Sequence, residues 1–242
     1  MTTLDLSLNN FTTNGFAVIE KLASKDTVEQ LLYAYRALVE DERQDNEQDR
    51  YLGGLTRQIM SPHTLNPVFE DNEAVIKARN IAAELMEGGE PQFLFSMAIH
   101  KPAGHPHTTP WHQDMSYISQ PTSPPGMTLP NDTVLQFWLA LEDVSEDMGC
   151  MEFVPNFHTQ PMPEHYVASG DPSDEGRLLA IVDPERQMEL SSAVRCPLQA
   201  GDATVHGYAT PHFTGPNRSA DKDRPAFIFS FLKSDSQKHQ QT

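Results

Sequence analysis

Apolar residues recur at two different spacings along the chain. Early on the spacing is helical: Val28, Leu31, Leu32, Tyr35 and Leu38 share one face, and Ala74, Val75, Ala78, Ile81, Ala82 and Leu85 share another. Ser24 is placed to cap a helix starting near Asp26, and Gly88-Gly89 stops the second helix, which spans about 73 to 87. Before them, Asn14-Gly15 reads as a turn into a short entry or edge strand, FAVIEKL. From about residue 92 the spacing changes. FLFSMAIHK, TVLQFWLALEDV, CMEFVP, GDATVHGY and RPAFIFSFL are short apolar or alternating runs broken by Pro, Gly, Asn and Asp. This pattern predicts many short antiparallel strands, with two helices supplied by the first third.

Three polar stretches interrupt the pattern. EDERQDNEQDR (40–50) reads as an exposed loop. QPTSPPGMTLPND (120–132) holds four prolines, which exclude a helix or a central strand. HTQPMPEHYVASGDPSDEG (158–176) has the same character. Connections this long serve most often as lids or binding loops.

Composition narrows the function. At 242 residues the chain can bury a sizeable core without needing a second domain. A net charge of -17 argues against a nucleic-acid surface and against anionic membrane. The chain has no apolar run long enough for a membrane span, and MTTLDLSLNN lacks the marks of a signal peptide. Two cysteines, Cys150 and Cys196, make no disulfide framework. The expectation is a cytoplasmic protein.

The chemistry centres on PWHQDMSY. In an extended segment, residues two apart emerge on the same side, so His112 and Asp114 can converge on one metal ion. With ten histidines and 34 acids, a lone H-x-D carries little weight. A later segment, GDATVHGYATPHFTGPNRSADKDRP, adds two histidines, His206 and His212, and then Arg224 at the threshold of an apolar strand. Two histidines and a carboxylate form the facial triad of non-haem Fe(II) sites, with positions left open for cosubstrate and oxygen. An arginine beyond the third ligand suits a metal-chelating cosubstrate with a distal carboxylate. His105 and His107 are rival ligands, and a lone Lys101 reads as solvated unless it meets an acidic substrate group.

Four segments together resemble the phytanoyl-CoA dioxygenase family of Fe(II)- and 2-oxoglutarate-dependent dioxygenases: NGFAVIEKL, PWHQDMSY, FWLALEDVSEDMGCMEFVPNFH and HGYATPHFTGPNRSADKDRP. The likeness runs over about residues 12 to 232. It implies a mainly β fold with N-terminal helices and a double-stranded β-helix (jelly-roll, cupin-like) core. Residues 1–242 would form one domain, its helical third (about 12–90) packed on a jelly-roll core (about 92–232). The resemblance selects His212 over His206 as the third ligand beside His112 and Asp114. Thr214 stands where the family commonly has serine, and Arg224, not Arg218, aligns best with the cosubstrate anchor. It implies Fe(II) and 2-oxoglutarate as cofactors, molecular oxygen as co-reactant, and succinate as a product. Ser219, Thr109 and Trp138 join Arg224 as candidate cosubstrate contacts.

Tyr117, Phe95, Met97 and Met151 are candidate substrate contacts, although core packing explains large apolar side chains equally well. The presence of Asp114 points away from halogenation and towards hydroxylation, desaturation or ring formation of a small metabolite or natural-product intermediate. A monomer or homodimer is expected. The alternatives are a cupin-like metal-dependent isomerase, a 2-oxoglutarate-independent oxygenase, or a silent binding protein.

Overall fold

The two helical stripes and the alternating runs meet on one sheet. The computed structural model describes residues 3–40, 49–52, 56–119, 122–171, 173 and 177–235. The helices are α1 (Thr3–Asn14), α2 (Lys25–Glu40), α3 (Glu73–Leu85) and the single turn α4 (Pro184–Gln187). The first strands are β1 (Phe16–Ile19), β2 (Asp49–Leu52), β3 (Thr56–Met60), β4 (Gly89–Lys101), β5 (Thr109–His112) and β6 (Val134–Ala140). They are followed by β7 (Met151–Phe153), β8 (His165–Val167), β9 (Leu179–Ile181) and β10 (Val194–Cys196). The last three are β11 (Ala203–Gly207), β12 (His212–Thr214) and β13 (Arg224–Asp235).

The larger sheet runs β1-β11-β6-β13-β4-β3-β2, the smaller β10-β7-β12-β5, and every pairing is antiparallel. This is a mainly β jelly roll with N-terminal helices. The central strands bury both faces. Phe137 and Leu139 of β6, with Phe227, Phe229 and Phe231 of β13, pack against α2 and α3. Trp138 and Ala140, with Ala226 and Ile228, face inward and meet Met151, Phe153 and Cys196 of the smaller sheet. Period-two alternation thus builds a helix-covered core on one side and a cavity wall on the other.

The helices follow their sequence signals. Ser24 Oγ accepts from the Thr27 amide at 3.3 Å, and the whole α3 stripe from Ala74 to Leu85 is buried. Asn72 caps α3 through the Val75 amide at 3.1 Å. Other elements differ from expectation. The Asn14-Gly15 turn is the end of α1, a helix that its Thr- and Asn-rich sequence conceals. Residues 158–176 are not wholly irregular, because β8 lies there and pairs with β9. Residues 41–48 of the expected acidic loop lie outside the described residues, and 49–50 open β2. Among the described residues no helix is long and apolar enough to cross a membrane. Both cysteines are free and buried.

Candidate metal centre

Antiparallel pairing sets His212, at the start of β12, directly opposite His112, at the end of β5. The strand stops at His112, but Gln113 remains extended before Asp114 opens a 3-10 turn, so Asp114 still reaches the histidine side. His112, Asp114 and His212 offer ligand atoms that all lie within 4.8 Å of one another. Each imidazole is pre-oriented: Nδ1 of His112 donates to the Pro110 carbonyl at 2.8 Å, and Nδ1 of His212 to the Thr210 carbonyl at 3.0 Å. That fixes the tautomer and leaves both Nε2 lone pairs facing Asp114 Oδ1, at 3.7 and 3.8 Å. Asp114 Oδ2 is held from behind by Gln136 Nε2, which donates at 2.8 Å, and by His206 Nε2 at 3.5 Å.

Burial pushes both imidazoles below their ordinary range, so they are neutral near pH 7. For Asp114, burial alone would raise the carboxyl. The carboxyl is nevertheless held low, with the hydrogen bonds that Oδ2 takes from Gln136 and His206 favouring the ionised form. Two neutral imidazoles and one carboxylate, clustered and oriented, are the donor set that a divalent transition metal requires. The rival histidines lie elsewhere: His105 Nε2 sits 3.0 Å from Thr56 Oγ1, and its ring packs on His107. His206 touches the carboxylate and lies outside the three-donor cluster.

The cluster opens into a cavity of about 530 Å³ that Thr109, Tyr117, Trp138, Thr214 and Arg224 also line. Phe95, Met97 and Met151 form part of its apolar wall. Arg224 is 1% exposed, so its position is the informative one. Its Nη1 donates to the Gly149 carbonyl at 2.7 Å, and its guanidinium lies over the Trp138 ring, 5.3 Å from the centroid. Burial brings its pKa down to about 10, so it stays charged, and its Nε is buried without a partner. An orphaned donor on a buried cation facing a cavity fits an anionic ligand. Gly149 is required here: at φ +73° its backbone presses on Gly215, and an added Cβ would collide with the Gly215 carbonyl.

Ser219 needs correction. It does not line the cavity; its hydroxyl bonds Asp221 Oδ1 at 3.2 Å and accepts from the Lys222 amide at 3.0 Å, in a polar turn shared with the exposed Arg218. Asn217 causes the detour, since its side-chain amide donates to the carbonyls of Lys101, Pro102 and Lys222. Thr214, like Thr109, lines the cavity together with Arg224. Tyr117 lines the cavity, with its hydroxyl oxygen accepting from the Leu179 amide at 3.0 Å.

Sequence reasoning also passed over Gln136, which steadies Asp114, and His165 on β8, whose Nε2 accepts from the Gln113 amide at 3.1 Å. Arg177 and Gln58 add polar groups to the cavity wall. Lys101, expected in solvent, is fully buried. The signal for it was present: it shares the inward face of β4 with Met97 and Ile99.

Comparison with known proteins agrees with this geometry. Phytanoyl-CoA dioxygenase domain-containing protein 1 of Danio rerio is 27% identical over 175 residues, 72% of this chain and 56% of that protein. Its Bos taurus counterpart is 27% identical over 176 residues, 71% and 55%. The chain thus spans little more than half the length of these curated relatives. EvdO2 from Micromonospora carbonacea var. aurantiaca, solved in complex with 2-oxoglutarate, superposes with a TM-score of 0.78 at 29% identity. That match covers 97% of this chain and 92% of EvdO2. The α-ketoglutarate-dependent epimerase SnoN from nogalamycin biosynthesis shares the fold, with a TM-score of 0.69 at 21% identity over 95% of this chain and 82% of SnoN. The profile of the family described as Phytanoyl-CoA dioxygenase (PhyH) matches residues 11–226, a span that includes the ligand cluster and Arg224. This chain belongs to the phytanoyl-CoA dioxygenase family.

Proposed function

We propose that this protein is an Fe(II)- and 2-oxoglutarate-dependent oxygenase that hydroxylates, desaturates or cyclises a small organic metabolite or natural-product intermediate. One observation carries the reading: a single cavity holds a three-donor metal cluster and, in its wall, a buried arginine with an unsatisfied N–H. The 2-oxoglutarate bound to EvdO2 supports the same cosubstrate. His112, Asp114 and His212 would hold Fe(II), and Arg224 with Thr214 would hold the distal carboxylate of 2-oxoglutarate. Once bound, the metal and cosubstrate supply the oxidising chemistry, which turns oxygen and 2-oxoglutarate into succinate, carbon dioxide and an oxidised product.

The chain's own contribution is orientation. The Pro110 and Thr210 carbonyls fix the imidazole rings, Gln136 and His206 fix one carboxylate oxygen, and Gly149 fixes the arginine. The apolar wall of Phe95, Met97 and Met151, together with Tyr117, keeps water from the reacting carbon and leaves space for a modest substrate. We read the protein as a soluble monomer or homodimer with no nucleic-acid partner. The connections at 120–132 and 158–176, parts of which lie outside the described residues, are candidate closing segments on their length and proline and glycine content. The test is succinate formation from 2-oxoglutarate with purified protein, expected only when Fe(II) and oxygen are both supplied. Metal-loaded protein that never forms succinate across a substrate screen would overturn the reading.

A further inference from the structure

Lys101 ends β4 with its side chain entirely buried, a rare place for a lysine. The β4–β13 register sets it directly opposite Arg224. Two adjacent cations in a protein interior repel each other and are costly without a carboxylate partner. Among the described residues Lys101 Nζ instead meets neutral oxygens, Thr214 Oγ1 at 3.0 Å and the Gly215 carbonyl at 2.9 Å. Burial first, and then Arg224, bring its pKa down to about 6, so near pH 7 it is mostly the neutral amine.

The surrounding groups do not restore the balance. His105, in the loop after β4, is held near 4 by burial and next by Lys101, and burial also lowers His100. Tyr35 and Cys150, acids whose fields reach Arg224, are pushed up by burial and stay protonated. Asp223, beside Arg224 in sequence, has a side chain 56% exposed.

We propose that Lys101 is the proton-accepting part of the 2-oxoglutarate anchor: as the distal carboxylate settles against Arg224 and Thr214, Lys101 takes up a proton and turns the Thr214 hydroxyl towards it. This rests on the cosubstrate reading above. The donor count explains the coupling. A neutral amine has a lone pair and can accept the Thr214 hydrogen, whereas an ammonium has only donors. Once protonated, Lys101 must donate to Thr214 Oγ1, and the hydroxyl hydrogen is released into the cavity that Thr214 lines. The incoming carboxylate supplies the negative charge that makes protonation favourable. The carboxylates of 2-oxoglutarate are already ionised near pH 7, so the proton comes from solvent. The balance is one dianion and one proton bound per chain.

The experiment is calorimetric titration of Mn(II)-loaded protein with 2-oxoglutarate at about pH 7.5, in buffers of differing ionisation enthalpy. Apparent enthalpy plotted against buffer enthalpy should give an uptake close to one proton in the wild type. Affinity should fall as pH rises above about 6, approaching tenfold per unit. Lys101→Met should bind roughly tenfold more weakly, with uptake near zero and little dependence on pH. Lys101→Arg, permanently charged, should bind without uptake. A wild-type slope of zero would overturn the proposal and leave the cosubstrate reading intact, as would full uptake in Lys101→Met. Absence of any 2-oxoglutarate binding to the metal-loaded wild type would remove both.

Discussion

The triad and the buried Lys101–Arg224 pair are built on opposite electrostatic plans. At the His112–Asp114–His212 cluster every donor is steadied by a protein partner: two backbone carbonyls for the imidazoles, and Gln136 with His206 for the carboxylate. The cluster carries one negative charge and presents lone pairs. The Lys101–Arg224 pair has no described carboxylate partner and leaves the Arg224 Nε without an acceptor. The first is complete as protein and selects a cation, whereas the second is incomplete as protein and selects an anion. The difference shows that burial has opposite uses in one cavity. It keeps imidazoles neutral for metal ligation, and it stores uncompensated positive charge for a ligand.

The comparison can be broken most severely at the triad. His212→Ala should abolish stoichiometric Fe(II) binding with the fold retained, since two ligands rarely hold a metal that three were arranged to hold. His206→Ala removes a contact to Asp114 Oδ2 and ring packing on His212 and Phe153, but no ligand, and should keep the metal. Metal titration monitored by atomic absorption after desalting separates the two. Retention by His212→Ala together with loss by His206→Ala would reassign the ligand.

Arg224→Ala should leave Fe(II) binding unchanged and weaken 2-oxoglutarate by roughly ten- to a hundredfold, the worth of a charge-assisted hydrogen bond. Arg218→Ala, in the exposed turn, should change neither. Equilibrium titration of both variants reads this directly, and equal behaviour would remove the distinction between a buried and a solvated arginine.

A third contrast concerns stability and His165, which holds the backbone of the H-x-D segment. Burial brings its pKa down to about 4 from an ordinary 6.5. The unfolded chain therefore takes up this proton first, so the contribution to stability is present above about pH 6.5 and is lost as pH falls towards 4. The loss attributable to this group is on the order of 2 to 3 kcal/mol, from 1.36 kcal/mol per unit. Urea unfolding of His165→Asn at about pH 7 and 4.5 should show a correspondingly shallower decline than the wild type. An unchanged decline would place the acid sensitivity elsewhere, with His105 the next group to test.

These contrasts also mark what the sequence could reveal. β4, β6, β13 and the stripes of α2 and α3 were legible because long periodic runs encode their own burial. β5, β10 and β12 are three or four residues long and exist only through pairing across the smaller sheet, so no local pattern announces them. Residue order showed that two histidines, an acid and an arginine follow one another at suggestive spacing. It could not show which hydroxyl turns inward. The contacts of Asn217 hold the turn that carries Ser219, while Thr214 and Thr109 line the cavity. Lys101 reads as solvated in sequence because a lone lysine usually is. Its place on the Phe95–Met97–Ile99 face is visible in the alternation but is meaningful only once β13 brings Arg224 alongside.

The central claim is that one cavity joins Fe(II) and 2-oxoglutarate through these two oppositely built sites. It is tested most directly by adding 2-oxoglutarate to Fe(II)-loaded protein without oxygen and recording the visible spectrum. Chelation of the metal by the keto acid should produce a charge-transfer band that grows to saturation at one 2-oxoglutarate per chain. Stoichiometrically bound Fe(II) that gives no such band at saturating 2-oxoglutarate would contradict the account.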